Sequence, residues 1–276
     1  MTAATIVPPI VLSIAGSDTC GGAGIQADIK TISACGAYAM TAITAITTQD
    51  PNGVRNVWPV TAEQLGDQIE AALAYRPAVI KIGMLGNAEL ANVVADILDS
   101  HPDIPLVLDT VIRSSSGAAL LDSAGVLILR ERLLPRATIA TPNRQETREL
   151  FDDADELTLQ SWAKKTSALL LVTGGDSELA LAGDTRFCTD VLIGDNIEHL
   201  TSPRIETQNH HGTGCTLSAA IASFIAHGFS VPEAVQYARQ FVQQALRAAA
   251  HQQWPGYGPL NHFFAFGKHN FLEIHS

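Results

Sequence analysis

The chain has 276 residues, 46% of them hydrophobic and only 16% charged, which supplies a large buried core and excludes a disordered chain. Lysine and arginine total 17 against 28 aspartates and glutamates, so the net charge is −11. Such acidity excludes general binding to nucleic acid or an anionic membrane, while leaving room for a local phosphate pocket.

The longest apolar stretches, such as Ala168–Val172 and Ala219–Ala226, fall well short of a bilayer span. No basic residue precedes Lys30, so no secretory signal is expected. Cys20, Cys35, Cys188 and Cys215 are scattered without CxxC spacing, and the expected setting is the reducing cytoplasm. With no repeat and no linker-like tract, residues 1–276 are expected to form one domain.

In chain order, Ile10–Ala15 is a short apolar run that ends at a glycine-rich loop, Gly16 to Gly24. A helix is expected over Ile25–Cys35, closed by Gly36. Ala39–Thr48, rich in Ile and Thr, predicts a strand. Thr61-x-x-Gln64 is a capping box for a helix to about Tyr75. Ala78–Gly83 and Leu106–Leu108 predict buried strands around a helix near Ala88–Asp99. Asp122–Arg132 is expected to be helical, Thr138–Thr141 a strand, Asn143–Leu150 a helix, and Ala168–Thr173 a strand that ends at Gly174-Gly175. Short alternating runs over Glu178–Thr201, broken by Gly183-Asp184 and Gly194-Asp195-Asn196, predict antiparallel edge strands. Two helices follow. One runs from Gly214 to Gly228, the other from a Ser230-x-x-Glu233 box with Pro232 in its first turn to about Ala250.

Strands alternating with helices imply an α/β fold: a doubly wound, mainly parallel sheet with helices on both faces and antiparallel edge strands near 178–201. Ligands of such sheets bind at the carboxyl ends of strands. The loops after Ala15, Thr48, Gly83, Leu108, Thr141 and Thr173 are therefore the places for chemistry.

His211-Gly212-Thr213-Gly214-Cys215-Thr216, just before an amphipathic helix, has the makings of an anion cradle. The first helical N–H groups are unpaired and the helix dipole favours negative charge. A thiol there is expected to have a lowered pKa and to act as base or nucleophile. The tetrapeptide fits equally an ordinary glycine-rich helix start with a buried cysteine.

The loop Gly16–Gly24 lacks the lysine of a P-loop and does not match the dinucleotide fingerprint. Asp28, one turn into the following helix, can accept hydrogen bonds from a polar substrate or simply be a solvated helix carboxylate. Asn143 and Glu146 suit helix capping, and equally a polar pair beside a magnesium ion and its waters. Asp109, ending an apolar strand, is costly to bury unless it binds something. Adjacent His210 and His211 show no metal spacing, and no GxSxG is present. Phe263, Phe264 and Phe266 fit core or dimer packing.

Together the motifs resemble the hydroxymethylpyrimidine/phosphomethylpyrimidine kinases of thiamine biosynthesis, within the ribokinase-like superfamily. They are AGSDxxGGAGIQADIKT (Ala15–Thr31), KIGML (Lys81–Leu85), LDTV (Leu108–Val111), RLLPxAT (Arg132–Thr138), TPN with Glu146, and HGTGCTLSAA (His211–Ala220). The resemblance spans about Leu12 to Phe266. It implies phosphorylation by ATP of 4-amino-5-hydroxymethyl-2-methylpyrimidine to its monophosphate and then to the diphosphate.

It also implies roles. Asp28 and Gln49, with the backbone around Thr47 and Gly16, would grip the pyrimidine, and Met84 and Val111 would pack on its ring. Gly212, Thr213, Gly214 and Cys215 would receive the phosphoryl group. Asp109, Asn143 and Glu146 would serve Mg²⁺ and nucleotide phosphates. Thr173, Gly174, Gly175 and the Asp176 loop would border ATP. In the wider superfamily an aspartate base usually stands where this subfamily carries Cys215. A homodimer is typical of such kinases. Three positions depart from many relatives: Thr19-Cys20 replaces Pro-Ser, Thr173 replaces lysine, and Gln49-Asp50-Pro51 replaces Gln-Asn-Thr. The other readings are a pyridoxine/pyridoxal kinase of the same superfamily and a non-catalytic pyrimidine-binding relative.

Overall fold

The computed structural model describes residues 7–50, 53–114, 117–175 and 186–266. Among these, nine strands form one sheet in the order β3-β2-β1-β4-β5-β6-β7-β8-β9. The strands are β1 (Ile10–Ser17), β2 (Tyr38–Asp50), β3 (Gly53–Pro59), β4 (Val79–Ile82), β5 (Leu106–Leu108), β6 (Ile139–Ala140), β7 (Leu169–Val172), β8 (Phe187–Ile193) and β9 (Ile197–Pro203). Six of them, β2, β1, β4, β5, β6 and β7, pair in parallel. The pairs β2–β3, β7–β8 and β8–β9 are antiparallel.

The strand sequences show why helices cover both faces. Successive side chains of a strand point to opposite sides. Leu12, Ile14, Ile80, Ile82, Leu106 and Leu108 join one buried cluster, with α2 (Ala62–Leu73), α3 (Ala88–Asp99), α4 (Ser123–Ile128), α5 (Leu134–Arg136), α6 (Arg144–Phe151) and α7 (Glu156–Thr166). Their neighbours Val11, Val79 and Val107 join the other, with α1 (Gly24–Ala34), α8 (Thr213–Ala226) and α9 (Val231–Ala249).

Strand order reverses at β1, which has β2 on one side and β4 on the other, so a crevice opens at their carboxyl ends. The glycine loop after β1 and the Gly83-Met84 turn after β4 lie there. Helix α8 packs across β1, β4 and β5 and against α1, which brings its start to the same place.

Three features differ from expectation. First, β2 runs on to Asp50 and folds back as β3, making an antiparallel edge at this side of the sheet too. Second, the expected helix Asp122–Arg132 stops at Ile128 and widens into a π-helical turn, Leu129–Leu133, before α5. Pro135 has no N–H to give the carbonyl one turn back, so the regular ladder cannot continue through it. Third, α7 occupies a stretch to which no element was assigned. The edge strands expected over 178–201 are β8 and β9, and residues 178–185 lie outside the described residues. Phe264 packs against Phe241, whereas Phe263 and Phe266 are exposed.

Candidate active site

The crevice joins three groups of residues. On the β1–β2 side the chain approaches itself closely. A Cβ on Gly16 would sit 2.9 Å from the Met84 sulfur, and one on Gly24 (φ +56°) 2.3 Å from the Gly16 carbonyl. Met84 joins Ala45, Leu120 and Val111 in a small apolar cluster. Beside it the Gln49 amide donates to Thr47 Oγ1 (3.0 Å), and that hydroxyl donates to the Ser17 carbonyl (2.8 Å). Gly16, Thr47, Gln49, Met84 and Val111 are thus brought to one wall.

The second group lies beneath the start of α8. Gly212 adopts φ +84°, and its Cα approaches Gly22 so closely that a Cβ would lie 1.8 Å from that residue's carbonyl oxygen. Only glycine suits such a position. No side chain caps α8, and Gly214 faces open space.

Below the loop is Lys81, fully buried in β4. Its ammonium lies 3.0 and 2.9 Å from the two oxygens of Asp28 and 3.8 Å from Asp109. Ser13 donates to Asp28 (2.5 Å), and Ser218 donates to Asp109 (3.0 Å). Burial alone would discharge Lys81. Asp28 above all, with Asp109 behind it, holds it charged. Sequence reasoning gave Lys81 no role, although one lysine inside an otherwise apolar buried strand demands a partner.

Two expectations change here. Asp28 is neither solvated nor exposed to a substrate: its relative exposure is 0% and its oxygens are taken by Lys81 and Ser13. The Cys215 thiol is not lowered. Burial pushes it up to about 12, with the charges of Asp109 and Asp28 adding to burial and Lys81 opposing. The helix start and Lys81 favour a thiolate, but burial, with two carboxylates from other elements behind it, outweighs them. Asp109 and the Gly24 N–H lie on the polar side of the thiol and bear on its protonation. Burial raises Asp109 above the ordinary carboxylate range, against the pull of Lys81 and Ser218.

The third group surrounds the start of α6. Asn143 Oδ1 accepts the Glu146 N–H (2.8 Å) and Glu146 Oε2 accepts the Asn143 N–H (2.9 Å), a complete capping box. Glu146 also takes Thr110 Oγ1 (3.0 Å) and a long bond from the Ile112 N–H (3.4 Å). Burial, with the charge of Asp109 behind it, pushes Glu146 up to about 8 despite the Asn143 bond. A nearby dication would relieve that charge, so the donor chemistry fits magnesium. Among the described residues no three His, Cys, Asp or Glu side chains gather around a metal position, so the ion would keep most of its water. Asp109 already faces Lys81, Ser218 and Cys215, which leaves Glu146 as the better ligand.

Thr173 bridges to Asn143 and donates its N–H to Pro142 (2.9 Å). The Gly174 N–H donates to Asp190 (2.9 Å), and a Cβ there would be 2.1 Å from the Thr189 carbonyl. Gly175 is open to space, and the Asp176 loop lies outside the described residues.

The molecule therefore presents an uncapped helix start over a buried lysine, an apolar-and-amide wall on one side and a glycine-bordered groove on the other. Residues 18–261 match the family model described as phosphomethylpyrimidine kinase. The chain is 41% identical to the hydroxymethylpyrimidine/phosphomethylpyrimidine kinase of Streptomyces coelicolor, over 97% of this chain and 100% of that one. It is 38% identical to the thiamine biosynthesis bifunctional protein ThiED of Geobacter sulfurreducens, over 92% of this chain but only 52% of that longer protein. A pyridoxal kinase from Staphylococcus aureus, solved with AMP-PCP and pyridoxal, superposes with a TM-score of 0.81 at 30% identity, covering 95% of this chain and 96% of that one.

Proposed function

The chain belongs to the phosphomethylpyrimidine kinase family, and we propose that its phosphoryl transfer takes place at the uncapped start of α8 above Lys81. It is a ribokinase-like kinase that uses ATP to phosphorylate hydroxymethylpyrimidine and then its monophosphate, in thiamine biosynthesis. The observation that carries the site is the pairing of an uncapped helix start, where the N–H groups of Gly214 and Cys215 face outward, with a lysine held charged beneath them. Phosphoryl transfer needs little covalent help from a protein. It needs reactants in line and charge met where it develops.

The hydroxymethyl oxygen attacks the γ-phosphorus, and the bond from that phosphorus to the oxygen of ADP breaks. The N–H groups of Gly214 and Cys215 take the charge that builds on the phosphoryl oxygens, with Lys81 as the fixed positive charge behind them. Because Cys215 is a neutral thiol beside Asp109, it acts as a relay. Its S–H proton passes to the Asp109 carboxylate as its sulfur takes the hydroxyl proton. In the second step the acceptor is already an anionic phosphate oxygen, and no proton has to be moved.

Gly16, Thr47, Gln49, Met84 and Val111 hold the pyrimidine. Asp28 acts on it only through Lys81. Asn143, Thr173, Gly174 and Gly175 border ATP, and Glu146 would hold magnesium. Magnesium bound there with ATP would supply charge neutralisation at the β- and γ-phosphates.

We further propose a single kinase domain over residues 1–276, a cytoplasmic setting and a homodimer. Among the described residues no helix is long and apolar enough to cross a membrane. The exposed pair Ile46 and Trp58, opposite each other on β2 and the open edge β3, supports contact with a second copy. Light scattering at twice the chain mass tests that contact.

The kinase reading is tested by offering hydroxymethylpyrimidine, its monophosphate and pyridoxine separately with ATP and Mg²⁺, and resolving products by mass. Conversion of the pyrimidine through monophosphate to diphosphate is expected. Turnover of pyridoxine alone would assign the chain to vitamin B6 chemistry, the activity named for its structural neighbour.

A further inference from the structure

Asp18 directly follows β1, is 2% exposed, and plays no part in the chemistry above. Four donors fill it. The Cys20 N–H reaches Oδ1 (2.9 Å), and the N–H groups of Gly22 (3.0 Å) and Ala23 (2.8 Å) reach Oδ2. The fourth is the ring of His211, whose Nε2 lies 2.9 Å from Oδ2 although the two residues are 193 apart in sequence. Burial pushes Asp18 up, but the bonds from His211, Ala23 and Cys20 outweigh it and hold the carboxyl below its ordinary range. An ionised carboxylate only accepts, so His211 donates from Nε2.

His211 is also the residue before Gly212. Its ring lies so close over Gly22 that a Cβ there would be 2.5 Å from Cδ2, and its own N–H donates to the Gly258 carbonyl (3.1 Å). The loop beside the acceptor wall and the loop that receives the phosphoryl group therefore meet at one hydrogen bond.

We propose that the Asp18–His211 pair is a positioning latch that fixes the loop 18–24 against the loop 211–215, and so sets the distance between the acceptor hydroxyl and the transferring phosphoryl group. The proposal rests on the kinase reading above. Its magnitude follows from geometry: a misplacement of about 1 Å between reacting atoms costs about 100-fold in rate. The Asp18 carboxylate is filled by its four donors and His211 by Asp18, so the latch acts on turnover and not on binding.

The test compares His211→Ala and His211→Gln in the full chain. The glutamine amide can reach the Oδ2 that the imidazole Nε2 reaches. With His211→Ala, kcat should fall about 30- to 100-fold while KM for pyrimidine and for MgATP each stay within about threefold. His211→Gln should recover most of the loss. A kcat within about threefold of the parent chain, a loss that lies in KM, or no recovery with glutamine would each overturn the latch.

Amide hydrogen exchange gives a readout independent of turnover. The Gly22 and Ala23 amides should exchange at least about tenfold faster in His211→Ala and regain protection in His211→Gln. Unchanged exchange would overturn the latch even if the parent chain phosphorylates no pyrimidine, which is the separate failure of the kinase reading. Should His211→Ala not fold, His211→Asn, too short to reach Asp18, takes its place in both measurements.

Discussion

Helices α6 and α8 both begin at the carboxyl end of the sheet, yet they begin in opposite ways. At α6 the Asn143 and Glu146 side chains close on each other's backbone and fill the orphan N–H groups. At α8 the residue in that place is Gly212, which has no side chain to give. The contrast extends through the molecule. Helices α2, α3, α4 and α7 carry side-chain caps from Thr61, Asn87, Asp122 and Asp155, and α9 has a Ser230–Glu233 box. The two that begin over the crevice, α1 and α8, have none. A cap stabilises a helix by about 1 kcal/mol. Where it is left out beside a buried lysine, the free N–H groups are available to an anion.

The largest break in this comparison is Gly212→Ala. The new Cβ meets the Gly22 carbonyl at 1.8 Å in a backbone conformation at φ +84°. Turnover should fall by about 10²- to 10³-fold, the scale of losing an anion-hole donor. Gly228→Ala, at the other end of the same helix, has nearly the same φ (+89°) and nothing within 4 Å. It should cost about 1–2 kcal/mol of stability and leave kcat alone. Steady-state kinetics and denaturant melts of the two variants separate strain from function.

Next in size is Asp28→Ala, which leaves Lys81 buried without its main counter-charge. Removing one partner of a buried pair destabilises by about 3–5 kcal/mol. Stability should therefore fall more than pyrimidine affinity does. A normal melting midpoint with weakened pyrimidine binding would return Asp28 to the substrate.

Cys215→Ala probes the open helix start more finely. The relay is needed when a hydroxyl loses its proton, and general acid–base contributions run to about 10²-fold or more. The first phosphorylation should slow by about that much, and the second should slow far less. Equal losses in both steps would make the thiol a part of the anion cradle alone.

These comparisons also mark what the sequence made legible. The boxes at Thr61, Asn143 and Ser230 span three residues, so local spacing was enough to find them. The apolar strands were legible from composition, and their alternation now explains the two cores. The long-range contacts at the centre were not legible, because Asp28 and Lys81 are 53 residues apart and Asp18 and His211 are 193 apart. Cys215 shows the boundary between the two cases. Its place at a helix start was readable, but the direction of its pKa is set first by burial under the fold, with Lys81 from β4 opposing and Asp109 and Asp28 adding to it. The β2–β3 hairpin had a signal in Asn52-Gly53 that was not used. The π-helical turn depends on how Pro135 meets the preceding helix, which no short motif encodes.

On the closed side of the comparison, Glu146 predicts a pH dependence. Its folded pKa is about 8 and its ordinary value 4.5, so the folded chain binds the proton more tightly. Between those values the native state carries more protons than the unfolded state, and stability should fall as pH rises, by at most about 1.4 kcal/mol per unit. Urea melts of the ligand-free protein from pH 6 to 9 should show this slope, and Glu146→Gln should flatten it. MgATP should flatten it as well, because a dication favours the ionised carboxylate. A slope unchanged in Glu146→Gln would assign the titration to another group.

The smallest effect belongs to a capped helix far from the crevice. Thr61 Oγ1 accepts the Gln64 N–H (3.2 Å), and the Gln64 side chain accepts the Thr61 N–H (3.0 Å), both at the surface. Thr61→Ala leaves the Gln64 N–H to water and should cost about 1 kcal/mol in a urea melt. Both phosphorylation steps should keep their rates, because α2 packs on the face of the sheet away from α8. If turnover fell with so small a change in stability, helix capping and catalysis would be coupled through the sheet. The division between helices closed by their own side chains and helices left open for an anion would then not be a division of labour.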